Sequence, residues 1–303
     1  MSMNQQLLSQ KFSIKNHLQF VEGVAGFTFI NIQSPLCEAT VSLHGGQVIA
    51  FKPRHTSQDL LFVSDNAYYQ SDKAIKGGCP ICWPGFAQHP TYTQLPFHGF
   101  VRNKIWQVDS TALNEKDEIE IILSMSDSES TRSIWPYAFK LKQKIILAEQ
   151  MQIDLLTENT GQHIFEITQA IHTYFNIGDI QKVSVGGLDK KRYLDKVENF
   201  SESTQQGDIS FNSEVDRIYI DVNNQITIDD PVYNRQIKIS NTNSHTTVVW
   251  NPWQKISQDS ADLTDDAYQH FVCVETANAA KEVISIGPGE NRRLSASYEI
   301  IQL

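Results

Sequence analysis

From about residue 13 to the C-terminus the chain is built of short runs of β-branched and aromatic residues separated by polar turn clusters. "GFTFINIQ", "EATVSLHGGQVIAFKP", "DEIEIILSMS", "FKLKQKIIL", "MQIDLLTEN" and "IFEITQAIHTYFNIGD" fill the first part. "VDRIYIDV", "QITIDD", "QIKISN", "HTTVVWNP", "HFVCVETA" and "RRLSASYEII" follow. Regularly spaced runs of this kind, with hardly a segment of helical period and length, predict an all-β sandwich or barrel with few short helices. A chain of 303 residues is long enough for two ordinary domains. The runs continue without a Pro/Gly/Ser-rich linker, so one domain over residues 1–303 is expected. No fixed-period repeat suggests a propeller or solenoid. The least strand-like region is "SDNAYYQSDKAIKGGCPICWPGFAQHPTYTQLPFHGFVRN". An ordered connection of this length must be held by specific contacts, and such connections usually carry function.

Composition narrows the partners. With 40% hydrophobic and 20% charged residues the chain is an ordinary globular protein. The N-terminus "MSMNQQLLSQKFSIKNHLQF" lacks the apolar core of a secretory signal, and no apolar run approaches membrane-spanning length. The expected setting is therefore cytoplasmic, with no membrane partner. Cysteines 37, 79, 82 and 273 lack the spacing of a disulfide framework and are expected as buried thiols in a reducing compartment. A formal net charge of −10 argues against nucleic acid, which needs a basic stripe. A small anionic substrate stays open, because exposed charges are screened beyond roughly 8 Å and a few local cations suffice.

Several stretches carry candidate chemistry. In "HFVCVETA", a strand over residues 271–276 puts Phe271, Cys273 and Glu275 on one face and Val272, Val274 and Thr276 on the other. Glu275 is then a carboxylate at the end of a buried strand, with its pKa raised toward the range of proton transfer, or else a rim carboxylate. In "TQAIHTYFNIGD", His172 shares a face with Ala170 and Tyr174 and is either a hydrogen-bonded core residue or the partner of Glu275. A Glu and a His on neighbouring strands facing one cavity make a base and an acid that work near neutral pH. "KGGCPICWPGF" contains neither phosphate-loop pattern. Its CxxC has no second ligand pair for zinc and no βαβ context for redox work, and the H-x-H of cupin metal sites is absent. No cofactor and no metal are expected. Arg102 and Lys76 are the cations nearest the glycine-rich part of the long connection; Arg offers a bidentate fork for phosphate, Lys a point charge. Both have the plainer reading of solvated surface residues. Asp216 in "EVDRIYI" and the Trp250/Trp253 pair in "WNPW" fit sugar hydroxyls and a sugar face, or a strand start and a core.

The succession "IKGGCPICWPGF", "LPFHGFVRN", "IHTYFNIGDI", "VDRIYI", "VVWNPW" and "FVCVETA" resembles the glucose-6-phosphate 1-epimerases (hexose-6-phosphate mutarotases) of the aldose 1-epimerase superfamily, over about residues 40–300. The resemblance implies a galactose mutarotase-like β-supersandwich that interconverts the anomers of a phosphorylated aldohexose without a cofactor, expected as a monomer. It implies His172 as general acid and Glu275 as general base. Arg102 and Lys76 would hold phosphate or sugar, His98 would contact substrate, and Asp216 would hold sugar hydroxyls. Lys76 stands where the family usually has arginine, which keeps the charge and loses the fork. Two other classes are weighed against this: a non-catalytic sugar-binding or sensing protein on the same scaffold, and a metal-dependent β-barrel isomerase that a chelator would inactivate.

Overall fold

A computed structural model describes residues 3–89, 91–223 and 225–303. The four strands Leu18–Glu22, Thr28–Gln33, Cys37–Ser42 and Gln47–Pro53 form an antiparallel meander. A nine-stranded antiparallel sheet has at its centre Arg235–Thr242, Asn291–Gln302, Gln150–Asn159 and Phe139–Leu147, in that order. An eight-stranded sheet runs Ser201–Thr204, Arg192–Asp195, Val215–Tyr219, Thr246–Asn251, Phe271–Asn278, Gln169–Ile171, Ile81–Cys82, with Tyr174–Asn176 also paired to Phe271–Asn278. The expected all-β, mostly antiparallel supersandwich is what the chain builds.

The period of two explains the core. Val272 and Val274 enter one apolar cluster with Leu294, Ala296 and Tyr298 of the large sheet, while Phe271 and Cys273 point to the other face. Each fully buried aliphatic side chain contributes roughly 1.5–3 kcal/mol through water exclusion. Polar ties cross the same interior: the Thr173 and Tyr298 hydroxyls lie 2.7 Å apart, and the Trp83 indole N–H donates to Thr157 Oγ1 at 3.1 Å.

The structure differs from the sequence pattern in instructive places. "EATVSLHGGQVIAFKP" is two strands, Cys37–Ser42 and Gln47–Pro53, with a turn at Leu43–Gly46. "IFEITQAIHTYFNIGD" splits into Phe165–Ile167, Gln169–Ile171 and Tyr174–Asn176. The break at His172 has a cause: its N–H donates to Pro80 O at 2.9 Å, and that of Tyr174 donates to Gly78 O at 2.9 Å. The long connection thereby takes bonds that a regular strand would give its neighbour. The helix Met3–Phe12 was not foreseen, because its sequence has no apolar stripe: Leu8 and Phe12 pack on the core while Leu7 is exposed. Trp253 opens the helix Trp253–Asp259 and packs on Tyr268. Among the described residues no helix is long and apolar enough to cross a membrane.

Candidate functional site

The eight-stranded sheet builds the site by register. Asp216 lies opposite Trp250, Trp250 opposite Cys273, and Cys273 opposite Tyr174. Two residues along, Ile218 lies opposite Val248 and Val248 opposite Glu275. The pairs Ile171↔Thr276 and Tyr174↔Cys273 share one register, so His172, inside the break, falls opposite Glu275. Residues two apart on a strand share a face. Two rows of side chains, Asp216–Trp250–Cys273–Tyr174 and Ile218–Val248–Glu275–His172, therefore point the same way. Glu275 is the fifth residue of an eight-residue strand, within its interior rather than at its end, and is 2% exposed.

The long connection supplies the opposite wall. His98 (φ 65°) and Gly99 (φ 71°) both adopt the left-handed conformation, and a Cβ on Gly99 would meet the Trp83 carbonyl oxygen at 1.9 Å. This double turn swings His98 inward, where the Ala87 N–H donates to its Nδ1 at 3.1 Å. A neutral imidazole with Nδ1 so occupied carries its proton on Nε2 and is a donor there. Arg102 follows in the 3-10 turn Val101–Asn103, where its Nη2 donates to Phe97 O at 2.9 Å and its buried Nε has no partner. The segment carrying Lys76 is fixed by the buried Gln47 amide, which donates to the carbonyls of Ile75 and Gly77 on either side of it.

These parts enclose a cavity of about 250 Å³ lined by Lys76, His98, Arg102, His172, Asp216 and Glu275 together with Trp250, Tyr174 and Lys196. The six residues to which the family resemblance gives site roles, Lys76, His98, Arg102, His172, Asp216 and Glu275, converge there. His172 Nε2 stands 3.3 Å from Glu275 Oε1, and the His172 ring stacks on Tyr174 at 4.9 Å with 12° between planes. His172 Nδ1 and Glu275 Oε2 are buried without partners. Sequence reasoning missed Lys196, whose Nζ lies 2.5 Å from Asp216 Oδ2 while Asp216 Oδ1 stays unpartnered. It sits in the polar run "DKVEN" just past a short strand, where nothing in the pattern marks it. Lys76 is paired with Asp262 at 3.3 Å. Trp250 joins the site and Trp253 does not line it.

Burial and cations set the protonation. Burial, then the charge of Asp216, raises the Glu275 pKa well above the usual carboxylate range, against the pull of Lys196 and Arg102. Burial, then the charges of Arg102, Lys76 and Lys196, lowers that of His172 to about 3. His98 is driven down still further, by burial first and then by His172 and the same cations. Both shifts run against the charged forms, so a proton shared by the pair is held more readily by Glu275 than by His172. Free thiols Cys79 and Cys82 are fully buried, which pushes Cys79 up to about 12 and Cys82 higher. Among the described residues no three His, Cys, Asp or Glu side chains are grouped to hold a metal ion.

This architecture is that of the mutarotases. It is similar to a crystal structure of a "putative mutarotase" from Salmonella typhimurium, with TM-score 0.89, 29% identity and 96% of each chain covered. A galactose mutarotase related enzyme from Lactobacillus acidophilus, 15% identical, shares the fold with TM-score 0.72 over 90% of this chain and 97% of that one. The sequence matches aldose 1-epimerase over residues 28–299, and the chain belongs to that family. It is 37% identical over 254 residues to a "Putative glucose-6-phosphate 1-epimerase" of Escherichia coli, covering 83% of each chain. It is 35% identical over 266 residues to one of the same name from Cenchrus ciliaris, covering 85% of this chain and 79% of that one. Sugar anomer interconversion is the activity of this family.

Proposed function

We propose that the protein interconverts the α and β anomers of a hexose 6-phosphate, with glucose 6-phosphate as the first substrate to test. The observation that carries this reading is the His172–Glu275 pair, buried at 3.3 Å in a cavity whose wall bears Lys76 and Arg102. As base, the Glu275 carboxylate takes the proton of the anomeric hydroxyl while the C1–O5 bond breaks. The bonding electrons go to O5, which takes a proton from the His172 imidazolium. Rotation about C1–C2 turns the other face of the aldehyde inward. On closing, O5–H attacks C1 and returns its proton to His172, while protonated Glu275 returns one to O1. The pair holds one proton before and after each step, so the buried pair serves opening and closing alike. Asp216 Oδ1 accepts from sugar hydroxyls, His98 Nε2–H donates to a sugar oxygen, and Lys76 and Arg102 hold the phosphate.

The test is anomeric exchange by NMR for glucose 6-phosphate, glucose and galactose, with a chelator present. Acceleration far greater for the phosphosugar than for glucose or galactose is expected. Binding without acceleration of any of the three would make the protein a sugar sensor instead.

A further inference from the structure

Behind the cation wall lies a second chamber of about 350 Å³. It shares Lys76, Phe97, Arg102 and Tyr174 with the first cavity, so these four residues line both spaces. Its charged lining consists of Lys73, Lys76 and Arg102 against Asp72 and Asp262. Asp262 occupies Lys76 at 3.3 Å, whereas the buried Nε of Arg102 has no partner. In a chain of net charge −10, this lining carries one more cation than carboxylates, a local reversal of sign that favours an anion.

The same cations act unequally on the pair. Arg102 and Lys76 are the strongest charges opposing a proton on His172, while on Glu275 Arg102 ranks behind Asp216 and Lys196. Neutralising the Lys76/Arg102 wall therefore favours imidazolium–carboxylate over imidazole–carboxylic acid, the arrangement from which ring opening starts. By linkage, whatever stabilises that imidazolium is in turn bound more tightly when it forms.

Building on the activity proposed above, we propose that the second chamber is a binding site for a phosphate-type oxyanion and that filling it speeds ring opening at His172–Glu275 even when the oxyanion is not bonded to the sugar. The phosphate of the substrate is then an activator as well as a handle: its binding acts on kcat and not on KM alone.

The experiment measures anomeric exchange of free glucose with the intact protein, with sodium phosphite or inorganic phosphate added, ionic strength held with chloride, and the protein-free rate at each concentration subtracted. A saturable gain of about tenfold is expected, part of the roughly 10² to 10⁴ that a positioned acid or base is worth. Lys76→Met is expected to bring the gain, taken relative to that variant's own rate, close to one. Exchange of glucose 6-phosphate with no gain from phosphite, inhibition by phosphite, or an undiminished gain in Lys76→Met each overturns the oxyanion switch and leaves the hexose 6-phosphate reading standing. Exchange of neither sugar would overturn both.

Discussion

Glu275 and His172 oppose each other in their demands on the fold. The Glu275 pKa is raised on folding, so the native state holds a proton that the unfolded chain releases above the ordinary carboxylate pKa of about 4.3. Its contribution to stability is full below that value and is lost as pH rises through the raised native pKa. His172 has the opposite sign: its native pKa near 3 makes stability full above the ordinary histidine value of about 6.5 and lost as pH falls toward 3. Glu275→Gln is therefore expected to melt higher than the wild type at pH 8, with the gap closing toward pH 4. Thermal unfolding at the two pH values checks it, and equal melting at pH 8 would refute it. The proton count has a kinetic consequence as well. The pair gains a second proton only as pH approaches 3, so kcat should hold level through pH 6.5, where an unperturbed histidine acid would titrate; a midpoint near 6.5 would contradict this. Most of these residues were legible in advance because a Glu and a His on largely apolar strands are costly without a use. Lys196 was not, since its pairing with Asp216 is made only when the strand Arg192–Asp195 docks on Val215–Tyr219.

At the scale of elements, the sheet supplies spacing and the long connection supplies closure. The strands were legible from their period of two and their turn residues. The break at His172–Thr173 was not, because its hydrogen bonds go to Pro80 and Gly78, remote partners that no local pattern contains. The "HGF" turn was legible as a place of interest, while its geometry was hidden: His98 takes a positive φ that residues with a side chain seldom adopt. Gly99 has no room for any side chain at all. Gly99→Ala combines a left-handed backbone with a Cβ aimed at the Trp83 carbonyl. It is expected to cost at least ~1–3 kcal/mol, the usual scale of backbone strain, and to weaken substrate binding by displacing His98 and Arg102 together. Denaturant unfolding with a KM measurement checks both, and unchanged stability would show that the turn yields.

Across the whole molecule, the all-β class followed from the pattern of short runs, and the order of six segments carried the family resemblance. The division into three larger sheets did not follow, because pairing depends on contacts between distant strands. We propose that residues 1–303 fold as one unit, since one apolar cluster extends from Leu18 to Ile300; a single cooperative unfolding transition is expected, and two separated transitions would count against it. Charge also acts at this scale. With a net charge of −10 around a local cation wall, capture of a phosphosugar depends on short-range fields that salt screens within roughly 8–10 Å. The kcat/KM for glucose 6-phosphate should fall as salt rises from 0.05 to about 0.5 M, while any value for free glucose stays nearly level. Parallel salt dependence for the two sugars would remove Lys76 and Arg102 from phosphate recognition.

The most direct test of the account is exchange NMR between the α and β anomers of glucose 6-phosphate, with wild-type protein and Glu275→Gln side by side and the fold of each checked by circular dichroism. Strong acceleration by the wild type and a loss of about 10² to 10⁴ in the folded variant are expected. A folded variant that exchanges the anomers at the wild-type rate, or a wild-type protein that leaves the spontaneous rate unchanged, would contradict it.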